Sequence, residues 1–181
     1  PPSKMEHSLS ALMSFTEYMR QRGKASTSRI LQRGMFSPTP DEQMALGLPG
    51  AEMLARVERV RFADDVPMSL ERSSLPRDIL PDPNLVDVSL YDVLRTRGVA
   101  PTRAVQRITA INATGEDARR MNLAEGAAVL RIDRTAYLPN GRPIVSQPIY
   151  RGSARRFLWM TSRMRIPSFV ARNKYYVQYL I

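Results

Sequence analysis

The sequence predicts an α+β domain, in which a mostly antiparallel sheet is flanked by helices. The main observation is an internal repeat: a short helix followed by a two-stranded hairpin occurs at residues 39–75 and again at residues 114–150. A helix and a hairpin leave a half-buried sheet face, so the two units need each other to form one sheet. With 43% apolar residues, the chain also has enough apolar surface for a real core.

The first repeat begins at Thr39, whose spacing to Glu42 matches a capping box and predicts a helix start. A strand is predicted from Met53 to Phe62, a turn at residues 63–65, and a return strand from Pro67 to Leu75. This order gives the first helix-hairpin unit.

The second repeat opens a helix at Thr114 and continues with a strand from Ala128 to Leu138. The Asn140-Gly141 pair is a strong hairpin signal and is followed by a return strand over Pro143 to Tyr150. Several positions of the two copies correspond: Arg56 and Arg59 to Arg131 and Arg134, Pro67 to Pro143, and Glu71 to Gln147.

Five further elements lie outside the repeats. An apolar stripe predicts an amphipathic helix from Leu9 to Arg22, and residues 28–36 alternate as a strand does. A short helix is predicted over Val88 to Arg97, and a strand over Thr102 to Ile111. The β-branched and aromatic residues 175–181 favour an edge strand or a dimer arm.

The composition leaves few catalytic options. The chain has no cysteine and one histidine, His7, so thiol nucleophiles, disulfides and histidine-based triads or zinc sites have little support. No metal, cofactor or catalytic residue is therefore predicted, and the lack of cysteine is compatible with the cytoplasm. Residues 1–150 carry 20 basic and 17 acidic side chains, so most of the net charge of +10 lies in the tail. This distribution argues against a nucleic-acid module, which usually spreads a basic face over its fold.

Six collinear motifs resemble the UTRA effector domain of HutC-type regulators in the GntR superfamily. They are Ser14 to Glu17 (SFTE), Arg59 to Asp64 (RVRFAD), Pro67 to Glu71 (PMSLE), Ser89 to Tyr91 (SLY), Arg103 to Gln106 (RAVQ), and Asn140 to Pro143 (NGRP) followed by Tyr150 to Gly152 (YRG). The resemblance covers roughly residues 8–157. It implies a fold shared with chorismate lyase, an antiparallel sheet flanked by helices.

The resemblance also implies a function. Such domains bind a small effector, and the similarity is greatest to regulators of N-acetylglucosamine use, which sense glucosamine-6-phosphate or N-acetylglucosamine-6-phosphate. We therefore expect residues 1–157 to be a cytoplasmic, non-catalytic sensing domain, and residues 158–181 to be a basic extension of unclear role. A homodimer is expected, and DNA would be bound only through an N-terminal winged helix-turn-helix that this chain lacks. No membrane partner is expected.

Arg59 and Arg61 are the principal candidates for binding the effector. They alternate on a strand, so both side chains leave the same sheet face, and paired guanidinium groups suit a phosphate or carboxylate. From spacing alone, a solvent-facing strand with ion pairs to Glu58 or Glu71 is equally compatible. The resemblance favours the anion site.

Further ligand residues are implied by the resemblance. It assigns Ser14, Phe15, Thr16, Ser89 and Tyr91 to the phosphate, although Phe15 is also a candidate core residue and Ser89 a candidate N-cap. It assigns Glu71, Arg103 and Tyr150 to the sugar, although Glu71 could simply neutralise Arg59. Ile144 stands where the family often has an acidic residue, which bears on the identity of the sugar.

Two other functions are compatible with the sequence. A chorismate-lyase-like enzyme acting on a small carboxylate would share the fold, but a fold does not determine a function. A basic nucleic-acid module would use the tail, with its interleaved tyrosines.

Overall fold

One antiparallel sheet dominates the computed structural model, which describes residues 14–50, 52–152 and 177–180. Within these residues seven strands are ordered β1-β2-β3-β6-β5-β4-β7. The strands are β1 Ser26–Phe36, β2 Leu54–Ala63, β3 Val66–Pro76, β4 Arg103–Asn112, β5 Ala128–Tyr137, β6 Pro143–Arg151 and β7 Val177–Leu180. The helices are α1 Phe15–Arg20, α2 Pro40–Leu46, α3 Leu90–Thr96 and α4 Gly115–Arg120. The predicted α+β class is confirmed.

The internal repeat forms the centre of the sheet. The unit α2-β2-β3 recurs as α4-β5-β6, and the two hairpins join along β3 and β6. In this seam Glu71 lies opposite Ile149 and Ser74 lies opposite Ser146. The sheet is therefore continuous across both repeats, as the sequence predicted.

The two sheet faces carry different helices. The front face is the face that carries Arg59, Glu71, Gln147 and Arg134. Arg59 pairs directly with Glu71 and Arg134 with Gln147, and Gln147 is two residues from Ile149, the direct partner of Glu71. On this face α3 packs through Leu90 and Leu94 in the main apolar core, and α1 packs through Phe15 and Met19. On the back face Met121, next to α4, packs on Val60 and Leu70.

Local chemistry explains the element boundaries. Thr39 and Glu42 form a reciprocal capping box at the start of α2, and Gly47 ends that helix in the left-handed region with φ of 60°. Asp64 and Asp65 both have positive φ in the β2–β3 turn, as a tight hairpin requires. Gly141 plays the corresponding role between β5 and β6, with φ of 84°.

The prediction of a helix beginning near Leu9 is wrong. Ser14 has extended backbone angles, φ −71° and ψ 158°, and caps a helix that begins at Phe15. Its hydroxyl accepts from the Glu17 N–H, while the Glu17 carboxylate accepts from the Ser14 N–H. This capping box satisfies two N–H groups at the start of the helix, so the helix starts there although apolar residues precede it. Residues 9–13 lie outside the described residues.

The tail contributes one described element. The backbone of β7 pairs antiparallel with β4 at the edge of the sheet. The edge-strand prediction is thus confirmed for residues 177–180. No helix in the described parts of the chain is long and apolar enough to cross a membrane.

Candidate functional site

Two buried arginines and one buried glutamate lie at the centre of the front face. Arg59 and Arg61 are each 2% exposed, and Glu71 is 3% exposed. The Nε and Nη2 atoms of Arg59 donate to Glu71 Oε2 at 3.2 and 3.0 Å. Arg61 Nη1 lies 3.8 Å from the same oxygen. The alternative of a solvent-facing strand is therefore wrong, although the predicted pairing of Glu71 with Arg59 is confirmed.

The Glu71 carboxylate is held ionised by its neighbours. Burial alone would raise its pKa, but Arg59, then Arg61, more than offset that effect, so the pKa of Glu71 lies below its ordinary value. Ser69 and Gln147 add hydrogen bonds, from Oγ at 3.5 Å and from Nε2 at 3.3 Å. Burial lowers the pKa of Arg61 to about 10, so Arg61 remains a cation at neutral pH.

Helix α1 contacts this cluster directly. Arg61 Nη2 donates to Thr16 Oγ1 at 2.8 Å, and the Arg61 guanidinium lies 4.6 Å from the centre of the Phe15 ring. The Phe15 ring also packs with Met19, so the core interpretation of this residue is confirmed. The first turn of α1 therefore brings Phe15 and Thr16 to the arginine cluster, and Ser14 precedes them as the N-cap.

Helix α3 approaches the cluster from the other side. Arg59 Nη1 donates to the carbonyl of Val88 at 3.3 Å, immediately before Ser89. Ser89 caps α3 by accepting from the Asp92 N–H at 3.2 Å, so its predicted N-cap role is confirmed. The Tyr91 hydroxyl is buried and makes no hydrogen bond within the described residues.

An ion pair connects the two helices over the front face. Arg95 Nη1 of α3 lies 3.1 Å from Glu17 Oε1 of α1. Glu17 is also the acidic member of the α1 capping box. The first turn of α1 is thus fixed to α3 as well as to Arg61.

The described part of the front face carries more positive than negative charge, with Arg59 and Arg61 buried and Arg134 and Arg151 half-buried. Arg59 and Arg61 share the carboxylate of Glu71, and Arg134 and Arg151 lie on the same face. Among the described residues, this group of arginines has no second carboxylate beside it. Burial, followed by repulsion from Arg134, lowers the pKa of Arg151 to about 10. A buried cation needs a counter-charge to offset its lost hydration. This arrangement suits an anionic ligand.

Several side chains of the site were not on the list of candidates from the sequence. Ser73, Gln147, Arg134 and Gln106 follow one another across β3, β6, β5 and β4. The Ser73 Oγ, Arg134 Nε and Gln147 Oε1 atoms are buried without a hydrogen-bond partner in the described residues. The internal repeat could have identified two of them, because it aligns Arg134 with Arg59 and Gln147 with Glu71.

Two candidates do not join the cluster. Tyr150 pairs with Leu70, so it lies on the back face, where it packs against the Val60 cluster and the Arg72 guanidinium is 5.1 Å from its ring. Arg103 is exposed and stacks on Tyr137 at 4.5 Å. Strand alternation places both away from Glu71, so the structure does not bring them together with the other candidate residues. Ile144 is fully buried in the main core, so no charge lies at that position.

The Glu71 pKa predicts a loss of stability in acid. Because its pKa in the folded state is below the unfolded value of about 4.5, its contribution is present above that pH and is lost as the pH falls through the lower folded value. The free energy of unfolding of the wild type, measured by urea unfolding, should therefore fall between pH 5 and pH 3. The Glu71→Gln variant should show a smaller loss over this interval, and an equal loss would contradict the assignment.

Comparison with known proteins agrees with this architecture. A family model described as the UTRA domain matches residues 21–155, about three quarters of the chain. The HTH-type transcriptional repressor NagR of Bacillus subtilis is 33% identical over 165 residues, covering 89% of this chain and 68% of that protein.

Solved structures show the same fold. The effector domain of PhnF from Mycobacterium smegmatis has a TM-score of 0.73 at 22% identity, covering 78% of this chain and 90% of that one. A GntR-family transcriptional regulator from Enterococcus faecalis has a TM-score of 0.65 at 26% identity, covering 71% of this chain and 95% of that one. Other curated relatives, such as YurK of Bacillus subtilis, are spanned by this chain over 60% of their length.

Proposed function

This chain belongs to the UTRA domain family, and we propose that its front face binds an anionic small-molecule effector and thereby controls a transcriptional regulator. Membership rests on the family match over residues 21–155 and on the likeness to NagR. The main observation that supports an anionic effector is that Arg59 and Arg61 are buried and share one carboxylate. A ligand anion would supply the missing counter-charge.

A phosphate is the anion that the surrounding groups fit best. Arg61 offers a guanidinium, Thr16 and Ser89 offer hydroxyls, and Tyr91 has a buried hydroxyl that lacks a partner. Together these groups supply several donors to one tetrahedral anion, and an arginine can donate two hydrogen bonds at once. We assign this end of the site to the phosphate of the effector.

The finer proposal is a phosphorylated amino sugar, either glucosamine-6-phosphate or N-acetylglucosamine-6-phosphate. It rests on the sequence motifs shared with regulators of N-acetylglucosamine use, and the likeness to a protein named NagR supports it. Glu71 would lie beneath the sugar. The core isoleucine Ile144 supplies no hydrogen bond there, which leaves other polar groups to recognise the remote end.

The proposed role is regulatory rather than catalytic. The curated relatives are transcriptional regulators of the HTH type, and this chain would control DNA binding by a winged helix-turn-helix. A ligand held between α1 and α3 would favour one arrangement of these helices, and in a homodimer this preference would be passed to the DNA-binding parts. Such control requires only unequal affinity for two conformations.

A thermal-shift screen tests the effector class. At a ligand concentration of about 100 times Kd, binding adds about 2.7 kcal/mol to the free energy of unfolding. For a domain of this size that corresponds to a rise in Tm of roughly 5–10 °C. Glucosamine-6-phosphate and N-acetylglucosamine-6-phosphate should give this rise.

The matched controls are glucosamine and N-acetylglucosamine, which lack the phosphate and should leave Tm within about 1 °C of the free protein because their Kd is far higher. Equal shifts from the phosphorylated and unphosphorylated sugars would show that the arginine cluster does not bind phosphate. No shift from any phosphorylated sugar would refute the proposed class of effector.

A further inference from the structure

The polar groups of the front face are divided between two cross-strand rows. Arg61, Ser69 and Arg151 form the first row, next to α1. The second row contains Ser73, Gln147, Arg134 and Gln106. Along β6 the rows are four residue steps apart, from Gln147 to Arg151, or about 13 Å between Cα atoms at 3.3 Å per residue. Since arginine side chains are long, a small elongated ligand can contact both rows.

The second row differs in charge from its counterpart in the first repeat. In the β2–β3 hairpin Arg59 lies directly opposite Glu71, and in the β5–β6 hairpin Arg134 lies directly opposite Gln147. An amide thus stands where the first repeat has the neutralising carboxylate. Within the described residues Arg134 has no carboxylate partner, and its Nη2 donates only weakly to the Gln106 amide at 3.4 Å.

The same row contains buried polar atoms that lack partners. Gln147 is 3% exposed; its Nε2 donates to Glu71, while its Oε1 accepts no hydrogen bond from the described residues. Arg134 Nε and Ser73 Oγ are in the same condition. Buried polar groups of native proteins are normally hydrogen-bonded, so three buried polar atoms without hydrogen bonds in one row indicate that a ligand would bind there.

We propose that Ser73, Gln147 and Arg134 form a second subsite, which receives the end of the effector remote from its phosphate and selects a hydrogen-bond-accepting group there, above all a carboxylate. This inference rests on the proposed function, because it takes the phosphate to lie at Arg61. The uncompensated Arg134 guanidinium attracts an acceptor and repels an ammonium group. Of the two amino sugars named above, the subsite therefore prefers the acetylated one.

Calorimetric titration with three six-carbon phosphates tests the preference. The probes are 6-phosphogluconate, sorbitol 6-phosphate and glucosamine-6-phosphate, which present a carboxylate, a hydroxyl and an ammonium group at the remote end. The 181-residue chain should bind 6-phosphogluconate about tenfold or more tightly than sorbitol 6-phosphate, since a charge-assisted hydrogen bond is gained. Glucosamine-6-phosphate should bind most weakly of the three.

Variants of β5 and β6 assign the preference to the subsite. Arg134→Gln should bind 6-phosphogluconate and sorbitol 6-phosphate equally. Arg131→Gln, on the back face of the same strand and paired with Asp133, is the matched control and should retain the preference. Gln147→Glu restores the carboxylate of the first repeat and should move glucosamine-6-phosphate from the weakest to the tightest of the three.

The outcomes separate this inference from the function on which it rests. Equal affinities in the wild type, or a preference that survives in both Arg134→Gln and Gln147→Glu, would overturn the second subsite while the phosphate site stands. If none of the three phosphates binds, the proposed effector class fails and the subsite fails with it. Urea unfolding of each variant identifies any that do not fold. If either Arg134→Gln or Gln147→Glu does not fold, the other of the two tests the second subsite.

Discussion

Replacing Arg61 with glutamine should abolish effector binding without destabilising the free domain. Arg61 is buried beside a second cation, Arg59, which already pairs with Glu71 at 3.0 Å, so the free protein retains its ion pair when Arg61 is neutralised. The phosphate, however, loses a guanidinium that could donate two charge-assisted hydrogen bonds. The affinity for glucosamine-6-phosphate should fall about 100-fold or more, while the urea midpoint stays unchanged or rises.

The control for this variant is Arg56→Gln on the same strand. Arg56 is an odd number of residues from Arg59, so it lies on the back face, where it pairs with Glu42 at 2.6 Å. This variant should lose stability and keep its affinity, the reverse of the Arg61 pattern. If Arg61→Gln bound the phosphosugar as tightly as the wild type, the phosphate would not lie at Arg61.

Replacing Glu71 with glutamine should have the opposite effect on both quantities. The free energy of unfolding should fall by about 3–5 kcal/mol, because removal of one partner leaves Arg59 buried without its counter-charge. The affinity for anions should rise, since a ligand phosphate would then be the only negative charge near two arginines. Urea unfolding with and without inorganic phosphate should show a larger stabilisation of the variant than of the wild type.

A buried carboxylate on the back face provides the comparison. Glu58 is 8% exposed and pairs with Arg72 at 2.8 Å and Arg120 at 2.7 Å. Glu58→Gln should also destabilise the domain, but it should leave the phosphate response unchanged. An equal phosphate response in the Glu58 and Glu71 variants would mean that Glu71 does not oppose the ligand charge.

Much of the fold could be predicted because it depends on short-range chemistry. The Thr39 capping box, the Asn140-Gly141 turn and the alternation of the strands are each encoded within a few residues. The same alternation placed Arg59 and Arg61 on one face. The repeat then predicted two hairpins of one sheet, and the α2-β2-β3 and α4-β5-β6 units confirm it.

The rest depended on contacts between distant segments. Whether Tyr150 lies beside Glu71 or behind it is decided by the register of β3 on β6, which the sequence does not specify, and a shift of one residue exchanges the faces. The contact of Gln147 with Glu71 depends on the same register. The start of α1 differs for another reason: the apolar stripe predicts a start near Leu9, whereas the capping box of Ser14 and Glu17 sets the start at Phe15.

The β3–β6 seam also determines when the binding site exists. It pairs Ser69 with Arg151 and Ser74 with Ser146, so the site is completed only by contacts of high sequence separation. Each hairpin can form locally and fast, whereas closing the seam pairs strands that are far apart in sequence and so costs more loop-closure entropy. A nascent chain that has released only the first hairpin from the ribosome therefore has half of the polar groups and no counterpart for them. Under the proposed function, recognition of the effector is thus reserved for molecules that have finished folding.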